Sequence, residues 1–474
     1  MQKQIREQVV NAINNGQIPL SERLPSSRNL SKQLKVARNT VVLAYDHLLN
    51  DGYLITKPRS GYFVNPDVLE GMVKPQKKRK RIPESDRLNW ANKFKFTPSE
   101  QKNIQKPNDW KKFQYPFIYG QLDYDYFPTN NWRECCRDAV SVGAIKDWAV
   151  DHYDTDDPLL IEQIHKRLLP RRGVWVKPEQ ILVTVGCQHA LYLLSNLLLD
   201  KDNTIGLENP GYVDVRNIVS LSAANIKSLD IDKQGLIIDD NIDECDCLYV
   251  TPSHQSPTTV TMPIERRKEL LERTAEKDIL LIEDDYESEI NYHSNPLPAL
   301  KSLDKNGNVI YVGSLSKTLS PGLRMGYVVG PVELIHELRA LRRLMLRHPA
   351  TNNERAVALF LARGYHDTLI RNLVHAYEER SEILKEAFRK YLPELLPNLT
   401  MGGASCWVKG PKNLDASRLR LAAAKASIII ESGNVHFLEE NPPKNYFRLG
   451  FSSIPHKQID PGIKELAKII KEIT

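Results

Sequence analysis

Ser314-Leu315-Ser316-Lys317-Thr318-Leu319-Ser320-Pro321-Gly322-Leu323-Arg324-Met325-Gly326-Tyr327 follows an apolar, strand-like run, Val309-Ile310-Tyr311-Val312. One lysine, Lys317, sits among the small hydroxyl residues Ser314, Ser316, Thr318 and Ser320. Pro321-Gly322 signals a turn, and Arg324 comes just after it. A lysine that forms an imine needs a strand end to hold it and room for a carbonyl partner. If that partner carries a phosphate, hydroxyls and a nearby guanidinium are the groups to hold it. A solvated lysine at a strand-to-loop edge looks the same locally, so the decision falls to the rest of the chain.

Working outward, short apolar runs recur at Ile181–Val183, Thr204–Leu207, Leu248–Val250 and Ile279–Ile282. Helical stretches separate them: His189 to Leu199, Glu265 to Glu276, Val332 to Met345. Strands alternating with helices predict an α/β domain around a largely parallel sheet. Ligands of such sheets lie beyond the carboxyl ends of the strands, so the residues after each run matter. Gly186-Cys187-Gln188 opens a helix, whose free N–H groups suit a phosphate. Glu208-Asn209-Pro210-Gly211-Tyr212 presents a tyrosine for stacking on a flat heterocycle. Glu283-Asp284-Asp285-Tyr286 places an acid at a buried strand end, costly unless it meets a cation.

The chain has 474 residues, too many for one ordinary domain. Hydrophobic residues make up 41% and charged residues 26%, as in a soluble globular protein. No apolar run has membrane-span length, and MQKQIREQ carries no signal-peptide core. The six cysteines (Cys135, Cys136, Cys187, Cys245, Cys247, Cys406) form no CxxC pair and no zinc spacing. They read as reduced, cytosolic thiols. The net charge of +6 is unevenly placed: residues 1–90 hold sixteen Lys/Arg against eight Asp/Glu. A basic head on a near-neutral body points to a polyanionic partner.

That head has its own pattern. Ile5, Val9 and Ile13 predict a helix over residues 2–15, stopped by Asn15-Gly16. Pro25-Ser26-Ser27 signals the start of a second helix, with Leu30 and Leu34 at helical spacing. A third runs from about Ala37 or Arg38 to Asn50, with Val41, Val42, Ala44, Tyr45, Leu48 and Leu49 inward and Asp51-Gly52 at its end. Tyr53–Thr56 and Tyr62–Val64 flank Lys57-Pro58-Arg59-Ser60-Gly61, a hairpin. Three helices and a hairpin make an α+β winged helix-turn-helix. Arg38, Asn39 and Thr40 start the third helix, where a recognition helix meets base edges. Arg23, Ser27, Arg28, Lys57, Arg59 and Gly61 are the further DNA-facing candidates, placed for phosphates or a minor groove. Domain limits follow: a head at 1–65, a basic polar linker at 66–114 containing Lys74–Arg81, and a body at 115–474.

Residues 3–64, with Arg23-Leu24-Pro25-Ser26-Ser27-Arg28, Val36-Ala37-Arg38-Asn39-Thr40-Val41 and Ser60-Gly61-Tyr62-Phe63-Val64, closely resemble the GntR-type DNA-binding domain. Residues 115–470 resemble fold-type I aminotransferases. The two joined by a linker, together with Thr251-Pro252-Ser253-His254-Gln255 and Glu283-Asp284-Asp285-Tyr286-Glu287, resemble the MocR/GabR-type transcriptional regulators. That resemblance implies pyridoxal 5'-phosphate as cofactor and Lys317 as its imine-forming residue. It pairs Asp284 with the ring nitrogen and Tyr286 with the ring oxygen, stacks Tyr212 on the ring, and sets Gly186, Cys187, Gln188, Ser314, Ser316 and Arg324 around the phosphate. Arg448, in Phe447-Arg448-Leu449-Gly450, matches the arginine that grips an effector carboxylate. It also implies a homodimer, often domain-swapped, bound to double-stranded operator DNA in the cytoplasm, with no membrane partner.

The expected function is a DNA-binding regulator that senses an amine or amino acid through an external aldimine. The alternative is a working aminotransferase with an appended DNA-binding domain. Ser256-Pro257-Thr258-Thr259 stands where aminotransferases carry Asn-Pro-Thr-Gly, and the lost amide and glycine favour the regulator. Asp214, if it faces the site, would disfavour an effector with a second acid. Tyr119-Gly120-Gln121 keeps the glycine of the family's entry motif without its proline and receives no role here.

Overall fold

The computed structural model describes residues 1–69, 88–222, 224–292, 297–397 and 402–474. The basic cluster Lys74–Arg81 lies outside the described residues. The chain forms two compact units, Met1–Phe96 and Thr97–Thr474.

The first unit holds helices α1 (Gln2–Asn14), α2 (Ser27–Leu34) and α3 (Arg38–Asn50), then strands β1 (Leu54–Lys57) and β2 (Gly61–Val64). Ser26 caps α2, its hydroxyl accepting from the Asn29 N–H at 3.2 Å. Gly52 takes φ +75° just past α3, the left-handed stop that glycine adopts without strain. The antiparallel β1–β2 pairing sets Lys57 opposite Gly61 across the wing tip. Ile5, Ile13, Leu24, Val41, Ala44, Tyr45, Leu48, Leu54 and Val64 form the core. Val42 and Leu49 are only half-buried. Tyr45 ties the layers together: its hydroxyl donates to the Pro25 carbonyl at 2.9 Å, and its ring lies 4.7 Å from that of Tyr62.

The second unit is built on an eight-stranded sheet in the order Ile181–Thr184, Gly326–Val329, Val309–Ser314, Leu280–Asp285, Cys247–Val250, Thr204–Asn209, Asn225–Asp232, Gly235–Leu236. The five strands from Val309–Ser314 to Asn225–Asp232 run parallel; the pairings at both ends of the order are antiparallel. Two apolar clusters cover its faces near the centre, one with Leu182, Ile282, Val312 and the helix Cys187–Leu198, the other with Leu248, Leu281 and the helix Ile264–Glu276. A smaller antiparallel sheet pairs Tyr446–Gly450 with Ser405–Lys409 and Glu431–Ser432. The long helices Tyr365–Tyr391 and His456–Ile473 pack together beside it and close the largest core.

Residues 97–112 belong to the second unit, although nothing apolar repeats in them. Polar contacts hold them. Gln101 donates to the Asn217 carbonyl and the Ser220 hydroxyl, and Asn217 donates back to the Lys102 carbonyl and the Asn103 amide oxygen. No helix among the described residues is long and apolar enough to cross a membrane.

Candidate ligand pocket and nucleic-acid surface

The parallel strands end along one edge, and the loops there enclose a cavity of about 430 Å³. Lys317, Asp284, Tyr286, Tyr212, Cys187, Gln188, Ser314, Ser316, Arg324 and Arg448 all line it. Gly186 supports it from behind the helix start. Its φ is +79°, and a Cβ there would stand 2.8 Å from the Arg324 guanidinium, so only glycine lets that arginine lie against the turn. Arg324 Nη2 donates to the Gln188 side-chain oxygen at 3.3 Å. Ser314 Oγ accepts from the Ser316 N–H, and Ser316 Oγ accepts from the Met325 N–H at 3.1 Å, which ties the lysine loop back onto the strand after it.

Lys317 is open to the cavity while protein surrounds its ammonium. Burial and the Arg448 charge push it toward the neutral, nucleophilic form, and Glu287 opposes them. Burial holds Glu287 up at about 7, and the Tyr119 hydroxyl donates to it at 3.3 Å. Asp284 is buried, accepts from the Tyr249 hydroxyl at 2.8 Å through Oδ2, and has no hydrogen-bond partner for Oδ1. Burial raises it to about 6. A carboxylate oxygen stranded at a strand end is an open valence for a cationic donor.

Asp214 does face the cavity. Its Oδ2 accepts from the Tyr212 hydroxyl at 2.9 Å and the Gln188 amide at 2.6 Å, and these bonds offset part of its repulsion toward anions. Arg448 is only 3% exposed and pairs with Glu431, Nη2 standing 2.7 Å from Oε1 and 2.9 Å from Oε2. His436 meets the same carboxylate at 2.8 Å, and these partners hold Glu431 well below the usual carboxylate range despite its burial.

Two residues that line the pocket, Tyr119 and Lys106, and one behind Arg448, Glu431, escape a reading of motifs. Tyr119 is central: its ring centroid lies 4.3 Å from Lys317 Nζ and 4.2 Å from the Arg448 guanidinium carbon. The glycine beside it was the available signal. Glu431 lies in a two-residue strand and reaches Arg448 only because the two are register partners. Lys106 comes from the stretch read as linker. The residue is exposed, and its ammonium donates to the Tyr119 carbonyl at 2.7 Å. Enclosure first, then Lys317, push it down to about 8, against the pull of Glu431.

In the first unit, Arg23, Arg28, Arg38, Asn39, Lys57, Arg59 and Gly61 are exposed and Thr40 half-exposed, as DNA-facing residues must be. Ser27 is not: it is 8% exposed at the first position of α2, where its backbone serves the helix. Gly61, at φ +101°, brings the wing beside Arg23, whose Nε would lie 3.7 Å from a Cβ there.

Residues 121–466 match the family model "Aminotransferase class I and II", and residues 1–64 match "Bacterial regulatory proteins, gntR family". The HTH-type transcriptional regulator TauR of Rhodobacter capsulatus is 36% identical over 99% of this chain and 96% of its own length. The chain belongs to the MocR-type transcriptional regulators. Another relative, the probable rhizopine catabolism regulatory protein MocR of Rhizobium meliloti, is 28% identical over 98% of this chain and 93% of its own. Solved structures resemble the body of this MocR-type chain. An archaeal alanine:glyoxylate aminotransferase superposes with a TM-score of 0.71 at 26% identity, covering 75% of this chain and 90% of that one. The kynurenine aminotransferase of Pyrococcus horikoshii, solved with PMP, gives 0.72 at 25%, covering 81% and 98%. The GntR-type head of a MocR-type regulator is a DNA-binding module.

Proposed function

We propose that this MocR-type regulator carries pyridoxal 5'-phosphate in the strand-end pocket and changes its grip on operator DNA when a small amine reaches Lys317. The carrying observation is Asp284 Oδ1, a buried oxygen without a partner in a cavity that also holds Lys317. The residues present fit the cofactor. Asp284 offers the carboxylate a pyridinium N–H needs, and Tyr286 and Ser256 lie in the same wall for the ring oxygen. Tyr212 supplies an aromatic face. The N–H groups of Cys187 and Gln188, the hydroxyls of Ser314 and Ser316, and Arg324 are the phosphate donors. When bound, pyridoxal phosphate supplies an aldehyde carbon that exchanges one amine for another.

The chain's own residues prepare that exchange. The pocket walls hold Lys317 toward its nucleophilic form. Glu287, at about 7, gives or takes a proton beside the lysine near neutral pH, and the Tyr119 hydroxyl orients it. Arg448 contributes its buried, unpartnered Nε as a donor for an effector oxygen. Ser256 and Thr259 in place of an amide and a glycine support sensing over turnover. The head, the connecting stretch 66–114 and the body at 115–474 then form a homodimeric cytoplasmic switch. In that switch the amine must bind two states unequally to act.

The test is a footprint of the full chain on the promoter beside its own gene, with pyridoxal phosphate and a panel of amines and amino acids. Protection that changes with one amine, and only with cofactor present, is the expected result. Sustained turnover of an amino donor and an oxo acid at ordinary enzyme rates would replace the regulator reading with the aminotransferase one.

A further inference from the structure

Helix α3 has two sides. Val41, Ala44, Tyr45 and Leu48 are buried in the core of the head. Helical spacing puts Asn39, Leu43, Asp46 and Asn50 on the side away from that core, and all four are exposed. Three of them are polar. Leu43 is 50% exposed and is not among the described residues that form or line the head's core. A lone exposed leucine is ordinary on a protein surface. Leu20, between α1 and α2, and Leu34, at the end of α2, are such cases. The place of Leu43 is different: it lies one turn beyond Asn39 on the helix that a GntR-type head presents to DNA.

The chemistry of the major groove narrows what a leucine there can read. The base edges carry hydrogen-bonding groups and one apolar group, the 5-methyl of thymine. A leucine set over a ring nitrogen, a carbonyl or an amino group strips its water and returns no hydrogen bond. Set against the methyl, it gains apolar contact. Asn39 carries the amide that pairs with an adenine edge, so the strip suits a step containing an A·T pair. Asp46, next on the same side, is exposed as well. Phosphates repel its carboxylate, so this side of α3 fits base edges better than the DNA backbone. The phosphate contacts fall to the exposed cations Arg23, Arg28, Lys57 and Arg59 elsewhere in the head.

We propose that Leu43 is a specificity-determining residue of this regulator and packs against the 5-methyl group of a thymine in the major groove of its operator. This rests on the head acting as a DNA-binding module and names one base that it selects. Leu43 carries no charge, so it contributes to sequence preference and leaves the salt dependence of binding to the arginines and lysines.

The test is a thymine-by-thymine substitution read by gel shift. Duplexes enriched from a random pool by the full chain supply the probe. Each thymine of the enriched site is replaced singly by deoxyuridine, which removes the methyl and nothing else. Wild type is expected to lose about fourfold in affinity at one thymine, the size of one buried methyl. Leu43→Ala binds the unmodified site more weakly than wild type does and is indifferent to the swap at that thymine. Its salt slope, and its response at every other thymine, stay those of wild type, which separates a lost base contact from a misfolded head. Leu43→Gln, enriching from the same pool, drops the thymine preference at that position. A wild type indifferent to every uracil swap overturns the contact, and so does a uracil penalty that persists in Leu43→Ala. Failure of the full chain to enrich any sequence overturns the DNA-binding reading as well.

Discussion

The head and the body use arginine and lysine in opposite ways. In the head, Arg23, Arg28, Arg38, Lys57 and Arg59 stand in solvent. In the body four arginines are buried and committed: Arg448 to Glu431, Arg172 to Asp285, Arg342 to Asp156, Arg380 to Asp123. An exposed cation is cheap to hold and free to meet a polyanion, at a strength set by salt. A buried cation must be paired to exist, so it shapes a site and offers little net charge to a newcomer. Charge in this protein therefore reads as function only after burial is known.

The largest expected effect is all-or-none. In Lys317→Ala the visible absorbance no longer survives exhaustive dialysis of protein incubated with pyridoxal phosphate, whereas wild type keeps it. The same variant still retards operator DNA, because the head does not draw on that lysine. Next comes the committed pair. Glu431→Ala leaves Arg448 buried without its counter-charge and costs about 3–5 kcal/mol of body stability, measured by calorimetry or denaturant titration. An Arg59→Ala control in the head changes stability by less than about 0.5 kcal/mol.

A pH experiment sharpens the same contrast. Asp284 holds its proton up to about 6 in the folded, cofactor-free body, whereas an unfolded Asp releases it near 4. The folded state then binds more protons, so this group's contribution falls as pH rises from about 4 and is gone above about 6. The loss is on the order of 2–3 kcal/mol. Unfolding of cofactor-free protein at pH 4.5 and pH 7.5, compared with Asp284→Asn, checks it: the variant shows the shallower dependence. Head variants give the smaller effects. Arg38→Ala costs about 1–3 kcal/mol in operator affinity and relaxes specificity at one base pair. Lys57→Met weakens specific and random DNA alike and lowers the salt slope by about one. The two are read by gel shift at several salt concentrations.

Much of this was legible before any coordinates. α1, α2 and α3, the wing and the central strands follow periods, caps and turn residues that act over a few positions, and each falls within three residues of its sequence-based limits. The strand-end residues were legible for a topological reason. In a parallel sheet every strand delivers its following loop to the same edge, so Gly186, Tyr212, Asp284 and Lys317 had to meet. Ser27 was placed by the same local logic, and the fold buries it: a hydroxyl at a helix start serves the cap region or the ligand equally well.

The sequence by itself determined a basic winged head, an α/β body and a lysine pocket, because hydrophobic period, turn chemistry and chain order are local properties. Tertiary structure alone decided who shares the pocket. Strand register, not spacing, sets Glu431 against Arg448 and takes up its charge. Polar contacts with no period bring residues 97–112 onto the body and Lys106 to the rim. Long-range pairing and burial are properties of the folded chain, and they set a buried carboxylate against Arg448 and bring Lys106 to the pocket wall.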